Sequence, residues 1–220
     1  MAPQTRLTTR FCQRLGVLAP VVLAPMGGCA GGRLAAAVAA AGGVGLVGSG
    51  GESLAYLRSE WATAVSQPGV SRQNLGFGMN INQLEEHPAG TLEALLEELQ
   101  PGHLFLSFGS LAPHAQAARE AGVHLYSNAG DTATALAHAR DGATCVVMQG
   151  SDAGGHTGDR ASVFSLVPQA RTLPQLATLQ PMCTHPAGYP CVCVHPCVPT
   201  LQGCPCSQAG HAGWVPLGYP

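Results

Sequence analysis

The chain contains no lysine: all 10 of its basic residues are arginine. That removes lysine Schiff bases, an internal pyridoxal linkage and the lysine of a phosphate-binding loop from the available chemistry. Charge of either sign is scarce, with 10 basic against 12 acidic residues. No basic stripe interleaved with aromatics is present to hold a polyanion, which excludes nucleic acid as an expected partner. Residues 34–51, LAAAVAAAGGVGLVGSGG, lack charge and reach the length of a membrane span. The glycines and the serine scattered through them gain little from lipid, so a buried helix, a glycine stop and a buried strand are predicted there, and no membrane segment. Nothing at the start resembles a secretory signal, so the expected compartment is the reducing cytoplasm. Arg6, Arg10 and Arg14, with no acid before Glu52, also match the charge balance of a mitochondrial presequence.

What is present is a rhythm. Apolar runs at 21–24, 44–47, 74–79, 103–108, 123–126 and 144–148 alternate with helical stretches at about 33–41, 52–66, 90–99, 112–121 and 131–140. Thr91 and Asp131 are suited to cap helix starts, and Gly122 and Gly142 to close helix ends. Repeated βα units with continuous apolar strands predict a parallel sheet, either doubly wound or closed as a barrel. The doubly wound dinucleotide fold is favoured only by Gly43-Val44-Gly45-Leu46-Val47-Gly48. Its glycines lie inside the apolar run instead of between a strand and a helix, and no acid follows about 20 residues later, so a glycine-rich barrel strand explains it better.

After about residue 173 the rhythm stops. Residues 174–220 hold most of the cysteines and prolines without any helical or strand period. The expected organisation is a partial barrel over 1–173 and a divergent, disordered tail over 174–220. Cys191, Cys193, Cys197, Cys204, Cys206, His185, His195 and His211 are all possible zinc ligands. Their C-x-C, C-x3-C and C-x6-C spacings do not form the paired C-x2-C knuckles of tetrahedral sites, so no metal is expected. An abrupt change of this kind is what reading through an intron or into another frame produces.

In parallel α/β folds ligands bind beyond the carboxyl ends of the strands. There the chain places Ala24-Pro25-Met26-Gly27-Gly28, then Asn80, then Gln149-Gly150-Ser151-Asp152-Ala153-Gly154-Gly155-His156. Small residues let the backbone approach a flat ligand, and the Asn80 and Gln149 amides offer both donors and acceptors to a heterocycle edge. His156 is the candidate base, because imidazole can accept a proton near neutrality. Alone, each of these reads as structural: a loop histidine, two amides satisfying backbone, a packed methionine. Their common placement carries the inference. His87, His103, His114, His124 and His138 are read as structural or solvated, and Cys145 as a buried strand residue. A serine hydrolase is excluded, since Gly48-Ser49-Gly50 is the nearest approach to a nucleophile elbow.

The stretches TRLTTRFCQRLGVLAPVVLAPMGG, LAAAVAAAGGVGLVGSG, NLGFGMN and VVMQGSDAGGHTG, in that order over about residues 5–170, resemble the nitronate monooxygenase (2-nitropropane dioxygenase-like) flavoprotein family. The resemblance implies a TIM-type (β/α) barrel holding FMN, here incomplete with about six βα units and an irregular C-terminal tail. It implies oxidation of alkyl nitronates or nitroalkanes by O2 to a carbonyl compound and nitrite, the flavin carrying the redox chemistry. It assigns cofactor contacts to Met26, Gly27, Asn80, Gln149 and Gly154, and proton abstraction to His156. It also recasts the arginine-rich start as the family's own lead-in to strand one. Asp152 stands where glutamate is commoner in the family. The family's later G-G-I and G-T-R-F motifs, which hold the FMN phosphate, do not occur in the chain. Weak or absent flavin is therefore expected, and the alternatives are an enoyl or quinone reductase of the same superfamily or an inactive truncated product.

Overall fold

The computed structural model describes residues 9–156, 161–173 and 176. The expected cysteine-rich tail, including every zinc candidate named above, lies outside the described residues, Leu176 aside. Five parallel strands form one sheet in the order β1-β2-β3-β4-β5: Gly45–Ser49, Leu75–Asn80, His103–Ser107, His124–Ala129 and Cys145–Met148. Helices α1 (Arg10–Leu15) and α2 (Gly32–Ala40) precede β1, and α3 (Leu54–Val65) leads to β2. The short α4 (Ile81–Leu84) and then α5 (Thr91–Leu99) lead to β3. Helices α6 (Ala115–Glu120) and α7 (Thr132–Asp141) follow β3 and β4, and α8 (Val163–Arg171) follows β5.

Strand order decides between the two topologies the sequence left open. A doubly wound sheet reverses direction at a switch point and carries helices on both faces, whereas sequential right-handed crossovers put every connecting helix on one side. The core divides accordingly. Val47, Leu75, Phe77, Leu104, Leu106, Leu125 and Val146 pack with helix residues Leu57, Trp61, Leu95, Ala117 and Ala135. The residues between them in the strands, Val44, Leu46, Phe105, Tyr126 and Cys145, form a separate cluster with Phe11 and Cys12 of α1. Alternation along each strand thus gives the sheet a helix-covered outer face and an inner face floored by α1, the arrangement of a (β/α) barrel wall.

The run expected as strand one does not form a strand. It reduces to one parallel bridge, Val22↔Val44, with Leu23 N–H on the Val44 carbonyl and Val44 N–H on the Val21 carbonyl. Pro20 and Pro25 bracket the segment and supply no N–H, which limits how far a ladder can extend. Thr91 does not cap its helix: Gly90 stands at the N-cap, and the Thr91 hydroxyl donates to the Pro88 carbonyl. Asp131 does cap, accepting from Thr134 N–H at 2.8 Å, and Gly142 closes the same helix in the left-handed conformation. Helix α1 was not anticipated as an element. Thr9 caps its start and Gly16 its end, and its buried Phe11 and Cys12 make the arginine-rich segment part of the folded core from residue 9 on. Helix α8 was hidden by Pro168 in its interior. Ser162 caps it, and the Asp152 carboxylate accepts from Val163 N–H at 2.8 Å and from the Ser162 hydroxyl at 2.9 Å. Among the described residues no helix is long and apolar enough to cross a membrane.

At the amino ends of the strands the inner face is polar. His103 and His124 stand opposite each other in register and their rings stack at 5.3 Å. The Tyr126 hydroxyl and His103 Nδ1 share a hydrogen bond of 3.0 Å. Burial, with the neighbouring His124, pushes the His103 pKa down to about 4, and burial raises that of Tyr126. His124 is lowered too, by burial and by Arg14 of α1.

Two outcomes are expected. Folding holds the His103 ring neutral, while the unfolded chain protonates it near pH 6.5, so stability is complete above that pH and declines toward pH 4. The loss attributable to this ring is at most roughly 3 kcal/mol. Urea unfolding between pH 7 and pH 4 checks it: His103→Asn is less stable at pH 7 but loses less on acidification. For Asp152→Ala, amide exchange is expected to accelerate several-fold at Val163 and Phe164 while β1 to β4 stay protected, read by hydrogen exchange.

Candidate functional site

The carboxyl ends of all five strands open on one side of the arc. The first contribution comes from the segment ahead of β1, which crosses the inner face on glycine. A Cβ at Gly48 would stand 2.5 Å from the Met26 backbone, and one at Gly27 would stand 2.9 Å from the Gly50 carbonyl. A Cβ at Gly78 would collide with the Pro25 ring. Distances this short are essentially never seen for real side chains, so the Pro25-Met26-Gly27 turn can occupy its place only because those positions carry none. Gly28, with φ +67°, completes the turn.

Asn80 ends β2 and its amide faces Gly50, 3.5 Å from where a Cβ would be. Met26, Gly27 and Asn80, separated by more than 50 residues of sequence, therefore meet through the glycines at the end of β1. Across the next pairing Asn80 stands opposite Ser107, and Phe108 follows. On the far side, Gln149 continues β5, its N–H bonded to the Ala129 carbonyl at 2.9 Å. Its side-chain oxygen accepts from Asn128 Nδ2 at 2.7 Å and its Nε2 donates to the Gly154 carbonyl at 3.4 Å. One amide thus ties the strand end to the loop that carries His156.

That loop is held at both ends. Asp152 is engaged by the first turn of α8, whose Val163 N–H lowers the carboxyl pKa, so its charge is directed at the helix and not at the mouth of the arc. An acid at a helix N-terminus also meets the positive end of the macrodipole. Gly150 tolerates no side chain, since a Cβ would strike Val163 N, and Gly155 takes φ +79° just before His156. The exposed His156 imidazole stands against Phe108, ring centroids 5.7 Å apart and planes at 73°. Phe108 itself has φ +60°, a conformation that costs a bulky residue about 1–3 kcal/mol and tends to mark functional sites.

Every residue singled out from the sequence lies on this mouth: Met26 and Gly27 with Asn80, Gln149 with Gly154, and His156 on the loop between β5 and α8. The sequence reading passed over Asn128, Ser107 and Phe108. Asn128 was detectable, because it shares the phase of Tyr126 and lies near the carboxyl end of its strand. The backbone conformation of Phe108 leaves no such trace. Among the described residues no group of three or more metal-ligating side chains occurs.

No family model matches the chain. It is 33% identical over 164 residues to (3aS,4S,5R,7aS)-5-hydroxy-7a-methyl-1-oxo-octahydro-1H-indene-4-carboxyl-CoA dehydrogenase of Mycobacterium tuberculosis, covering 73% of this chain and 44% of that protein. It is 31% identical over 186 residues to nitronate monooxygenase of Neurospora crassa, covering 70% of this chain and 49% of that protein. The chain thus spans about half the length of these relatives. Among solved structures, a FabK variant from Thermotoga maritima superposes with a TM-score of 0.67 at 24% identity, over 76% of this chain and 55% of that one. Nitroalkane oxidase from Streptomyces ansochromogenes superposes with a TM-score of 0.57 at 26% identity, over 71% of this chain and 56% of that one. Both neighbours are TIM barrels, the fold that the strand order shows here in part. The chain thus shows distant homology to nitronate monooxygenase over part of that protein's length and shares its fold with nitroalkane oxidase and FabK.

Proposed function

We propose that the chain carries the ring-binding and proton-abstracting part of an FMN-dependent oxidoreductase that oxidises alkyl nitronates, and nitroalkanes through them, with O2 to a carbonyl compound and nitrite. The observation that carries this reading is the convergence of a glycine-seated turn, a set of amides and one imidazole on the carboxyl ends of a parallel barrel wall. The homology to nitronate monooxygenase over 70% of the chain supports it.

The site fits a flat heteroaromatic ring. The space a Cβ at Gly27 would take is held by the Glu52 carboxylate and the Gly50 carbonyl, whereas Gly28 is open to within 3.9 Å of Glu52, and a planar ligand can approach such backbone closely. Asn80 on one side and Gln149 with Asn128 on the other would offer neutral donors and acceptors to the edge of such a ring. Met26, Gly27, Asn80, Gln149 and Gly154 would hold the flavin, which supplies the electron transfer to O2. His156 accepts the α-proton of a neutral nitroalkane on an imidazole nitrogen, and a preformed nitronate needs no base. The Phe108 ring stands against one side of the imidazole.

The 33% identity to a CoA-substrate dehydrogenase favours a second reading, a flavin-dependent reductase of an enoyl thioester or quinone. In both readings the partners are small molecules. Full-length protein supplemented with FMN and then desalted separates them. Visible flavin absorbance with nitronate-dependent oxygen uptake supports the first. NAD(P)H oxidation on an enoyl thioester or quinone, without nitronate turnover, replaces it with the second. Neither flavin nor turnover makes the chain an inactive product. His156→Asn is expected to lower kcat on neutral nitroalkane by roughly 10²–10⁴-fold while leaving turnover of preformed nitronate near wild type.

A further inference from the structure

Among the described residues only Gln100 and Phe108 combine a positive φ with a side chain. Gln100 is accounted for as the left-handed C-cap of α5. Phe108 ends no helix. It sits where β3, in register with β2 as far as Asn80↔Ser107, has to turn at once. Gly109 lies so close to Ile81 that a Cβ there would be 2.6 Å from Cγ2. The backbone is thus pinned on both sides of residue 108, and the turn falls on that residue. Glycine makes such a turn without steric opposition. Phenylalanine is found instead, and its ring meets the His156 imidazole at 5.7 Å and 73°, the edge-to-face geometry that aromatic quadrupoles favour.

We propose that Phe108 is a positioning residue, its constrained backbone holding an aromatic wall against His156 so that the imidazole keeps one plane at the mouth of the barrel. The loop bearing His156 has glycine at 154 and 155, the second at φ +79°, and its bonds between Gln149 and Gly154 and between Asp152 and α8 are made ahead of the imidazole. The Phe108 ring, carried by the end of β3 two strands away, adds a wall from across the sheet. The catalytic side of this inference rests on His156 acting as the base, whereas the positional side does not.

Three full-length variants test it: Phe108→Leu, which keeps apolar bulk, Phe108→Tyr, which keeps the ring, and Phe108→Gly, which relieves the backbone. The first measurement is NMR of the histidine rings in cofactor-free protein, with His156 assigned from His156→Asn. Ring-current displacement of the His156 protons is expected in wild type and Phe108→Tyr, and is expected to vanish in Phe108→Leu and Phe108→Gly. The second measurement, with FMN present, compares a neutral nitroalkane with its preformed nitronate. Phe108→Leu and Phe108→Gly are expected to lose roughly tenfold or more in kcat on the nitroalkane, with nitronate turnover within about twofold of wild type and Phe108→Tyr restoring the rate. Unchanged His156 resonances in Phe108→Leu overturn the proposal, as does an equal loss on both substrates or full nitroalkane activity in Phe108→Gly. A wild-type protein that oxidises neither substrate refutes the functional reading instead, and the resonances still decide whether Phe108 holds the imidazole.

Discussion

The mouth of the barrel wall depends on a close contact between two stretches of backbone. Pro25, Met26 and Gly27 lie across the inner face of β1 and β2, where Gly48, Gly50 and Gly78 carry no side chains. A methyl group at Gly48 or Gly78 would lift that segment off the sheet, and with it the turn that faces Asn80. A single bridge, Val22↔Val44, suffices to register the segment because the glycine surface beneath it accepts only one depth of approach. On the other face the same strands carry Val47, Phe77 and Met79 into the helix layer, so the pattern of bulk and glycine also tells the two faces apart.

Along the inner face the chemistry changes with height. At the amino ends buried His103 and Tyr126, with half-buried His124, are closed from below by α1, and desolvation keeps His103 neutral. Phe105, Tyr126 and Cys145 fill the middle with apolar contacts. At the carboxyl ends the inward positions turn to serine and amide: Asn80, Ser107, Asn128 and Gln149. Polarity without charge suits a ring edge that both donates and accepts. Asp152, four residues before His156, is engaged by the first turn of α8, and the imidazole stands beside the Phe108 ring.

Much of this was legible from residue type and spacing. Continuous apolar runs marked β1 to β5 because strands covered on one face by helices and on the other by an inner core need no polar alternation. Asp131 and Gly142 marked α7 because their capping chemistry is local. Thr91 misled, because a hydroxyl that caps in one context turns to a nearby carbonyl in another, and Gly90 took the cap. Pro168 concealed α8 although Ser162 caps its start locally; Asp152, 11 residues before Val163, adds a bond that local capping rules do not give. The segment at 21–24 had the composition of a strand but only one bridge.

The order and identity of residues alone determined the parallel βα architecture, because periodicity and glycine placement are properties of the chain, and strand-end position with family resemblance offered Met26, Gly27, Asn80, Gln149, Gly154 and His156 as candidates. Tertiary structure decided which residues face one another: Asn128 with Gln149, Gly50 between Gly27 and Asn80, Asp152 with the first turn of α8, and Phe108 with His156. Those relations arise from register between strands and from the depth at which one backbone settles on another. They become defined only when distant parts of the chain pack, since no local interaction encodes them.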